Sequence, residues 1–286
     1  MNMFKEPVEQ LIKKRISVRT YSRQPVPADV LGKLQEYIRH PEGPFDASVR
    51  FALLNKPMEK SEAGIKLGTY GVIQGASLFL AAAIKKEAHG PEQLGYALEK
   101  VILYCTSLGL GTCWLGGTFN KGSFSAAMDL SPEELLPIVA PVGYPSALRG
   151  PMDMLFKPLP SIRPRKPFTA LFFENSFQTP LAATDAGAYE IPLEMVRLAP
   201  SAANRQPWRI VRTSGQFHFY LAHDSLNASH SYDIQKVDMG IALCHFELTA
   251  RELGLKGKWA SHDPQAPGAA KGLEYIITWI PEDAGD

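Results

Sequence analysis

The chain contains an internal repeat that limits how it can fold. Two long apolar segments carry an early glycine, a Leu-Gly-Leu triplet and a tryptophan at a constant spacing of 145 residues. These features are Gly95, residues 108–110 and Trp114 in the first copy, and Gly240, residues 253–255 and Trp259 in the second. A glycine that follows a long helix can adopt the positive φ of a C-cap, so each triplet predicts a helix end. We therefore expect two copies of one folding unit.

The remaining patterns in the two halves follow the same order. In each half the pattern predicts an early amphipathic helix (8–14; 193–198), followed by two apolar strands (49–54 and 78–83; 209–212 and 217–222). The long helix comes next, and a closing strand follows it (137–142; 274–280). Runs such as IVAPV and YIITWI are typical of strands buried on both faces. We expect an α+β architecture with helices packed on a mixed sheet, twice. A Pro- and Arg-rich linker over 144–166 divides the chain into repeat 1 (1–160) and repeat 2 (161–286).

Composition excludes several classes of function. The charges balance, with 30 Lys and Arg against 29 Asp and Glu, which argues against nucleic-acid binding and against an anionic membrane surface. The sequence has no apolar stretch of the ~20 residues that a membrane-spanning helix needs, and its start lacks the apolar centre of a signal peptide. Three cysteines without a close pair favour a reducing cytoplasm. The histidines lack zinc-site spacing, so we expect no metal.

A short basic motif follows the first predicted helix. Arg15, Ser17 and Arg19 place two guanidinium groups and a hydroxyl within five residues, and such groups can bind a phosphate or a polarised carbonyl. A solvated basic turn would have the same composition. Taken alone, the motif leaves both interpretations open.

Three further segments have the composition of a ligand site. The string APSAANRQPW contains Pro200, Ser201 and Asn204, whose small polar groups can face a flat heterocycle. Gly116 and Gly117 follow the first long helix and let the backbone approach a ligand closely. Basic residues recur in the linker, at Arg163 and Arg165. Ordinary loops and turns remain the alternative for each segment.

Together, RISVR and APSAANRQPW resemble the FMN-binding signature of the nitroreductase family, and the Val-Gly-Tyr-Pro at 142–145 resembles the end of that family's closing strand. The resemblance implies that Arg15 and Ser17 bind the phosphate and ribityl end of FMN, while Arg19 lies beside N1 and O2 of the flavin. It also implies flavin contacts from three sets of residues: Pro200, Ser201 and Asn204; the backbone of Gly116 and Gly117 near N5; and Arg163 and Arg165 at the phosphate. Many family members carry an acidic residue where this chain has Gly116.

The two halves retain complementary parts of this signature. Members of the family are typically intertwined homodimers with two FMN sites, each built from both subunits. In repeat 1 the counterpart of the Pro-Ser loop is degenerate (40–46), and in repeat 2 the counterpart of the Arg-Ser-Arg motif is lost (180–185). The chain resembles the single-chain, double-repeat nitroreductases. This resemblance implies a three-layer fold, an intramolecular pseudo-dimer with one flavin site, and a folded monomer.

The resemblance implies an FMN-dependent NAD(P)H oxidoreductase of nitroreductase type. Hydride transfer would pass through flavin N5 to an unknown small-molecule acceptor, and no side chain is nominated as an acid or base. Two alternatives remain open: a non-catalytic flavin-binding store or sensor, and a flavin-modifying enzyme on the same scaffold.

Overall fold

A computed structural model describes residues 4–55, 68–147, 164–223, 232–268 and 272–282. The described helices are α1 (Val8–Lys14), α2 (Ala28–Tyr37), α3 (Gly90–Ser107), α4 (Lys121–Ala127), α5 (Glu190–Leu198) and α6 (Ile234–Glu252). The described strands are β1 (Val49–Asn55), β2 (Leu78–Lys85), β3 (Gly111–Thr112), β4 (Glu134–Gly143), β5 (Phe172–Glu174), β6 (Trp208–Thr213), β7 (Gln216–Ala222), β8 (Gly257–Ala260) and β9 (Leu273–Pro281). No described helix has the length and apolar character needed to span a bilayer.

The strands form two sheets with the same connectivity. The first sheet has the order β1-β2-β4-β3, and the second has β6-β7-β9-β8 with β5 added at its edge. In both halves the long helix lies in the chain between the second strand and the two that follow it. The α+β fold with two repeats is therefore confirmed. In the first half every described pair of strands is antiparallel, and the parallel pairing expected of a mixed sheet is reduced to isolated bridges such as that of Ser17 with Thr112 of β3. The second sheet is mixed because β5 pairs in parallel with β6.

The two long helices pack against each other where the repeat places its early glycines. A Cβ atom built on Gly95 would overlap the carbonyl oxygen of Val237, and one built on Gly240 would overlap the carbonyl oxygen of Glu92. Only residues without a side chain allow the backbones to approach so closely. The repeated Leu-Gly-Leu triplets also behave as expected, because their glycines take φ values of 75° and 77° after the helix ends.

The first helix of the chain joins the core of the second half. Leu11 of α1 is fully buried in the same hydrophobic cluster as residues of α5, α6 and the second sheet. The backbone N–H of Val8 donates to the carboxylate of Glu252 at 2.9 Å, which satisfies one of the open donors at the start of α1. The segment that follows α1 therefore begins at the boundary between the halves.

The helix crossing generates a stability prediction. Gly95→Ala and Gly240→Ala should each destabilise the protein by about 1–3 kcal/mol or more, because the new methyl group forces two backbones apart. Gly32→Ala is the matched control, since a methyl group added to this exposed glycine of α2 would meet no neighbouring atom and the variant should lose no stability. Urea unfolding measures all three variants. Wild-type stability in the Gly95 and Gly240 variants would contradict the close crossing.

Candidate functional site

A cavity of about 460 Å³ lies between the two halves of the chain. Its volume falls within the roughly 300–1,000 Å³ that is usual for small-molecule sites. Six of the residues predicted from the sequence line it: Ser17, Arg19, Gly116, Gly117, Pro200 and Ser201. The cavity therefore brings together the basic motif, the glycine pair and the Pro-Ser loop, which come from distant parts of the sequence.

The basic motif is held in an extended conformation beside the first sheet. Ser17 forms an isolated parallel bridge with Thr112 of β3, and the N–H of Val18 donates to the carbonyl of Thr112 at 2.8 Å. On the other side, the N–H of Gln74 donates to the carbonyl of Arg19 at 2.8 Å. Successive side chains of an extended segment alternate in direction, and Ser17 and Arg19 both line the cavity, as a two-residue spacing allows.

The Pro-Ser loop between α5 and β6 is organised by a buried glutamine. Gln206 is 1% exposed, and its side chain accepts from the N–H of Lys166 at 2.7 Å and donates to the carbonyl of Asn204 at 3.0 Å. The hydroxyl of Ser201 accepts from the N–H of Gln206 at 2.9 Å. Ala203, Asn204 and Gln206 all have φ near 50°. Left-handed conformations in residues with side chains cost about 1–3 kcal/mol each, so the surrounding bonds must enforce this loop shape.

Not every predicted site residue reaches the cavity wall. The side-chain oxygen of Asn204 accepts from Gln206 at 3.3 Å, and Asn204 is absent from the lining. Arg15 and Arg165 also lie outside the lining. Arg163 lies outside the described residues.

The glycine pair stands where residues of the second half approach the first sheet. A Cβ on Gly116 would overlap the end of the Ile234 side chain, so a larger residue would have to displace that side chain. The hydroxyl of Tyr232 lies 3.2 Å from the carbonyl of Gly116 and donates to the carbonyl of Pro137 at 2.9 Å. Contacts across the two halves therefore fix this part of the wall.

Two partly buried arginines lie near each other. The side chain of Arg15 is only 9% exposed, and its Nε and Nη1 atoms have no hydrogen-bond partner within the described ranges. Arg165 donates to the carbonyls of Leu198 and Ala199. Burial, followed by repulsion from Arg15 and Arg197, lowers the pKa of Arg165 to about 10. Two cations withdrawn from water favour an anion in their neighbourhood.

Sequence reasoning missed Asp238 of α6, which also lines the cavity. Asp238 is 3% exposed, and its two carboxylate oxygens lie 3.0 and 3.1 Å from the N–H of Ala202. Burial, together with the nearby charge of Asp233, raises the pKa of Asp238 well above its usual value. A carboxylate within an otherwise apolar stretch of a repeat helix was the signal that could have revealed it. It connects α6 to the Pro-Ser loop.

The sequence matches the protein family described as "Putative TM nitroreductase" over residues 7–250. The chain belongs to this nitroreductase family. A search of proteins with curated descriptions gave no match. A solved structure of a "putative nitroreductase" from Thermotoga maritima is 20% identical, with a TM-score of 0.62, and the comparison covers 96% of this chain and 94% of that chain. The resemblance to nitroreductases is thus confirmed for both the family and the fold.

Shorter nitroreductases match about half of the chain. One is a nitroreductase from Bacteroides fragilis with bound FMN, which is 21% identical, covers 51% of this chain and 93% of its own, and has a TM-score of 0.40. Another is a "putative nitroreductase" from Desulfovibrio desulfuricans in complex with FMN, which is 23% identical, covers 54% of this chain and 96% of its own, and has a TM-score of 0.39.

The buried carboxyl generates a pH prediction. The folded-state pKa of Asp238 is raised, so the folded state should lose stability as pH rises above the unfolded value of about 3.9. Asp238→Asn keeps an oxygen that can accept the N–H of Ala202 and removes the buried charge. We therefore expect its stability relative to wild type to increase from pH 4 to pH 8.

Asp238→Ala is the comparison variant. It should be about 1–3 kcal/mol less stable than Asp238→Asn at each pH, because the N–H of Ala202 loses its partner. Urea unfolding across the pH range gives both differences. Parallel pH profiles for wild type and Asp238→Asn would show that the carboxyl titrates normally in the folded state.

Proposed function

We propose that the protein is an FMN-dependent oxidoreductase with one flavin site between its two halves, using NAD(P)H as reductant and a small molecule as acceptor. The supporting observation is the cavity, in which Ser17, Arg19 and the glycine pair meet the Pro-Ser loop in a chain of the nitroreductase family. The FMN complexes of the shorter nitroreductases agree with this choice of cofactor.

The residues present are suited to a flavin mononucleotide. The unsatisfied Nε and Nη1 donors of Arg15 and the nearby cation of Arg165 suit a phosphate monoester, which is anionic and rich in acceptors. The cavity wall combines apolar side chains such as Ile138 and Ile241 with a few polar groups. A flat heterocycle with polar edges requires this combination.

Each predicted residue has a separate part in holding the cofactor. Arg15 and Arg165 would neutralise the phosphate, with Arg163 as a third predicted cation, and Ser17 would donate its hydroxyl. Arg19 would place a cation at the N1 and O2 edge of the flavin. Contacts from the other walls would come from Gly116, Gly117, Pro200, Ser201 and Asn204. Bound FMN would supply the two-electron redox chemistry between NAD(P)H and the acceptor.

The positions on α3 that correspond to the cavity wall on α6 contact other parts of the protein, which supports a single flavin site. The counterparts of Ile234 and Asp238 on α6 are His89 and Gln93, 145 positions earlier. The ring of His89 stacks on Phe45 at a centroid distance of 4.6 Å, and the side-chain oxygen of Gln93 accepts from the N–H of Phe45 at 3.0 Å. The counterpart positions in the first half are therefore taken up by contacts with Phe45.

The proposal predicts the stoichiometry of binding and the redox behaviour of the complex. Titration of the apoprotein with FMN should saturate at one equivalent per chain. Anaerobic addition of NADH or NADPH should then bleach the flavin absorption band, and a suitable acceptor should restore it. Saturation at two equivalents would contradict the single site. Binding without reduction by either nucleotide would favour a flavin store or sensor.

Arg15 and Arg19 should affect different properties of the complex. Arg15→Ala should weaken FMN binding about ten- to a hundredfold, because the loss of a charge-assisted hydrogen bond costs about 1.5–3 kcal/mol. Arg19→Ala should instead lower the flavin midpoint potential by tens of millivolts, since ~30 mV corresponds to about 1.4 kcal/mol for a two-electron couple. Binding of oxidised FMN should change little in Arg19→Ala, because the cation matters most for the reduced state.

The exposed Arg23 provides a control for general charge effects, and Arg23→Ala should change neither quantity. Fluorescence titration and spectroelectrochemistry measure the two properties. Arg19 would be reassigned to the phosphate if its removal abolished FMN binding and left the potential unchanged.

A further inference from the structure

A buried pair of titratable residues lies behind the cavity wall, next to Arg15. Resting on the proposed function, we propose that Glu99 and His245 form a proton-sharing pair with no net charge, which leaves the charge of Arg15 available to the phosphate of FMN. They act as positioning residues that favour the phosphorylated cofactor over riboflavin.

Both residues are completely buried and come from the two long helices. Glu99 belongs to α3 and His245 to α6, and Nε2 of His245 lies 3.0 Å from Oε1 of Glu99. The same Oε1 atom lies 3.9 Å from Nε of Arg15. The second carboxylate oxygen accepts from the indole N–H of Trp114 at 3.1 Å, and Trp114 lines the cavity. The pair therefore connects the cavity wall to Arg15.

Hydrogen-bond chemistry fixes the number of protons in this pair. Nδ1 of His245 lies 2.9 Å from the carbonyl of Met195, and a carbonyl can only accept, so Nδ1 carries a hydrogen. The bond between Nε2 and Glu99 then needs a second proton, because two lone pairs at 3.0 Å would repel each other. Whether that proton resides on nitrogen or on oxygen, the two groups together carry no net charge.

This proton changes the electrostatics around Arg15. A lone carboxylate 3.9 Å away would offset most of the charge of the guanidinium in a buried setting. With the pair neutral, Arg15 and Arg165 together retain a charge of about two. A phosphate monoester carries about −1.5 to −2 at pH 7, so the buried charges match.

The pair belongs to one site only, which agrees with a role in binding the cofactor. The repeat spacing of 145 residues places Cys244 opposite Glu99, and His245 opposite Lys100. Lys100 is instead paired with Glu42 at 2.9 Å. The helix crossing is common to both repeats, but the acid–histidine pair is not.

A series of variants that changes the net charge of the Glu99–His245 pair tests the proposal through flavin affinity. His245→Gln removes the shared proton and leaves Glu99 as a carboxylate beside Arg15, so FMN binding should weaken about tenfold or more. Riboflavin, which lacks the phosphate, should bind this variant as it binds wild type. The double variant Glu99→Gln/His245→Gln restores a neutral pair and should bind FMN within about threefold of wild type.

Fluorescence titration gives the dissociation constants of FMN and riboflavin for each variant, and thermal unfolding verifies that each is folded. His245→Asn is the second choice should His245→Gln not fold. A purely structural pair predicts a different pattern, in which FMN and riboflavin weaken together and the double variant is the worst binder; that result overturns the inference. Wild type that binds neither flavin overturns the proposed function as well, whereas tight wild-type FMN binding with an unaffected His245→Gln overturns the inference alone.

Discussion

The contact between two helix backbones at Gly95 and Gly240 sets the geometry of everything around it. Because neither residue has a side chain, α3 and α6 approach until backbone atoms are in direct contact. Each helix packs on its own sheet, so the crossing also fixes the distance between the two sheets. The cavity lies along α6 at Ile234, Val237, Asp238 and Ile241, the turns that flank this crossing. The close crossing therefore sets how near this part of α6 lies to the first half.

Electrostatics at the boundary between the halves follow from the same packing. Arg15 reaches the interior because α1 joins the core of the second half and carries the basic motif with it. Its partner Glu99 comes from α3, whereas His245 comes from α6, so the group is complete only when the halves are packed together. Buried charges of this kind contribute little to stability by themselves, which agrees with the role in anion binding that we propose for them.

Periodicity and motif chemistry predicted most of the fold. The six longer strands, both long helices and the glycine caps lie where the apolar pattern indicated, because each of these elements is long enough to show a pattern or ends at a distinctive glycine. The short strands β3, β5 and β8 were not predicted, since two to four residues are too few to give a pattern. The place of Arg15 behind the cavity wall, and the part of Asp238 in holding the loop, depend on contacts more than thirty residues apart in sequence. The pattern of residue types along the sequence does not indicate which distant residues will be in contact.

The fusion of two repeats has a consequence for how the molecule can change. In a homodimer of identical subunits, every substitution appears in both subunits at once. A change that improves packing in one copy of a segment must therefore also be compatible with ligand binding by the other copy. In a single chain the two copies mutate independently. The stacking of Phe45 on His89 illustrates this freedom, because an aromatic pair there can fill and stiffen the first half while the Pro-Ser loop keeps its strained shape. One copy of a repeated segment can thus take on a packing role while its counterpart in the other repeat lines the cavity.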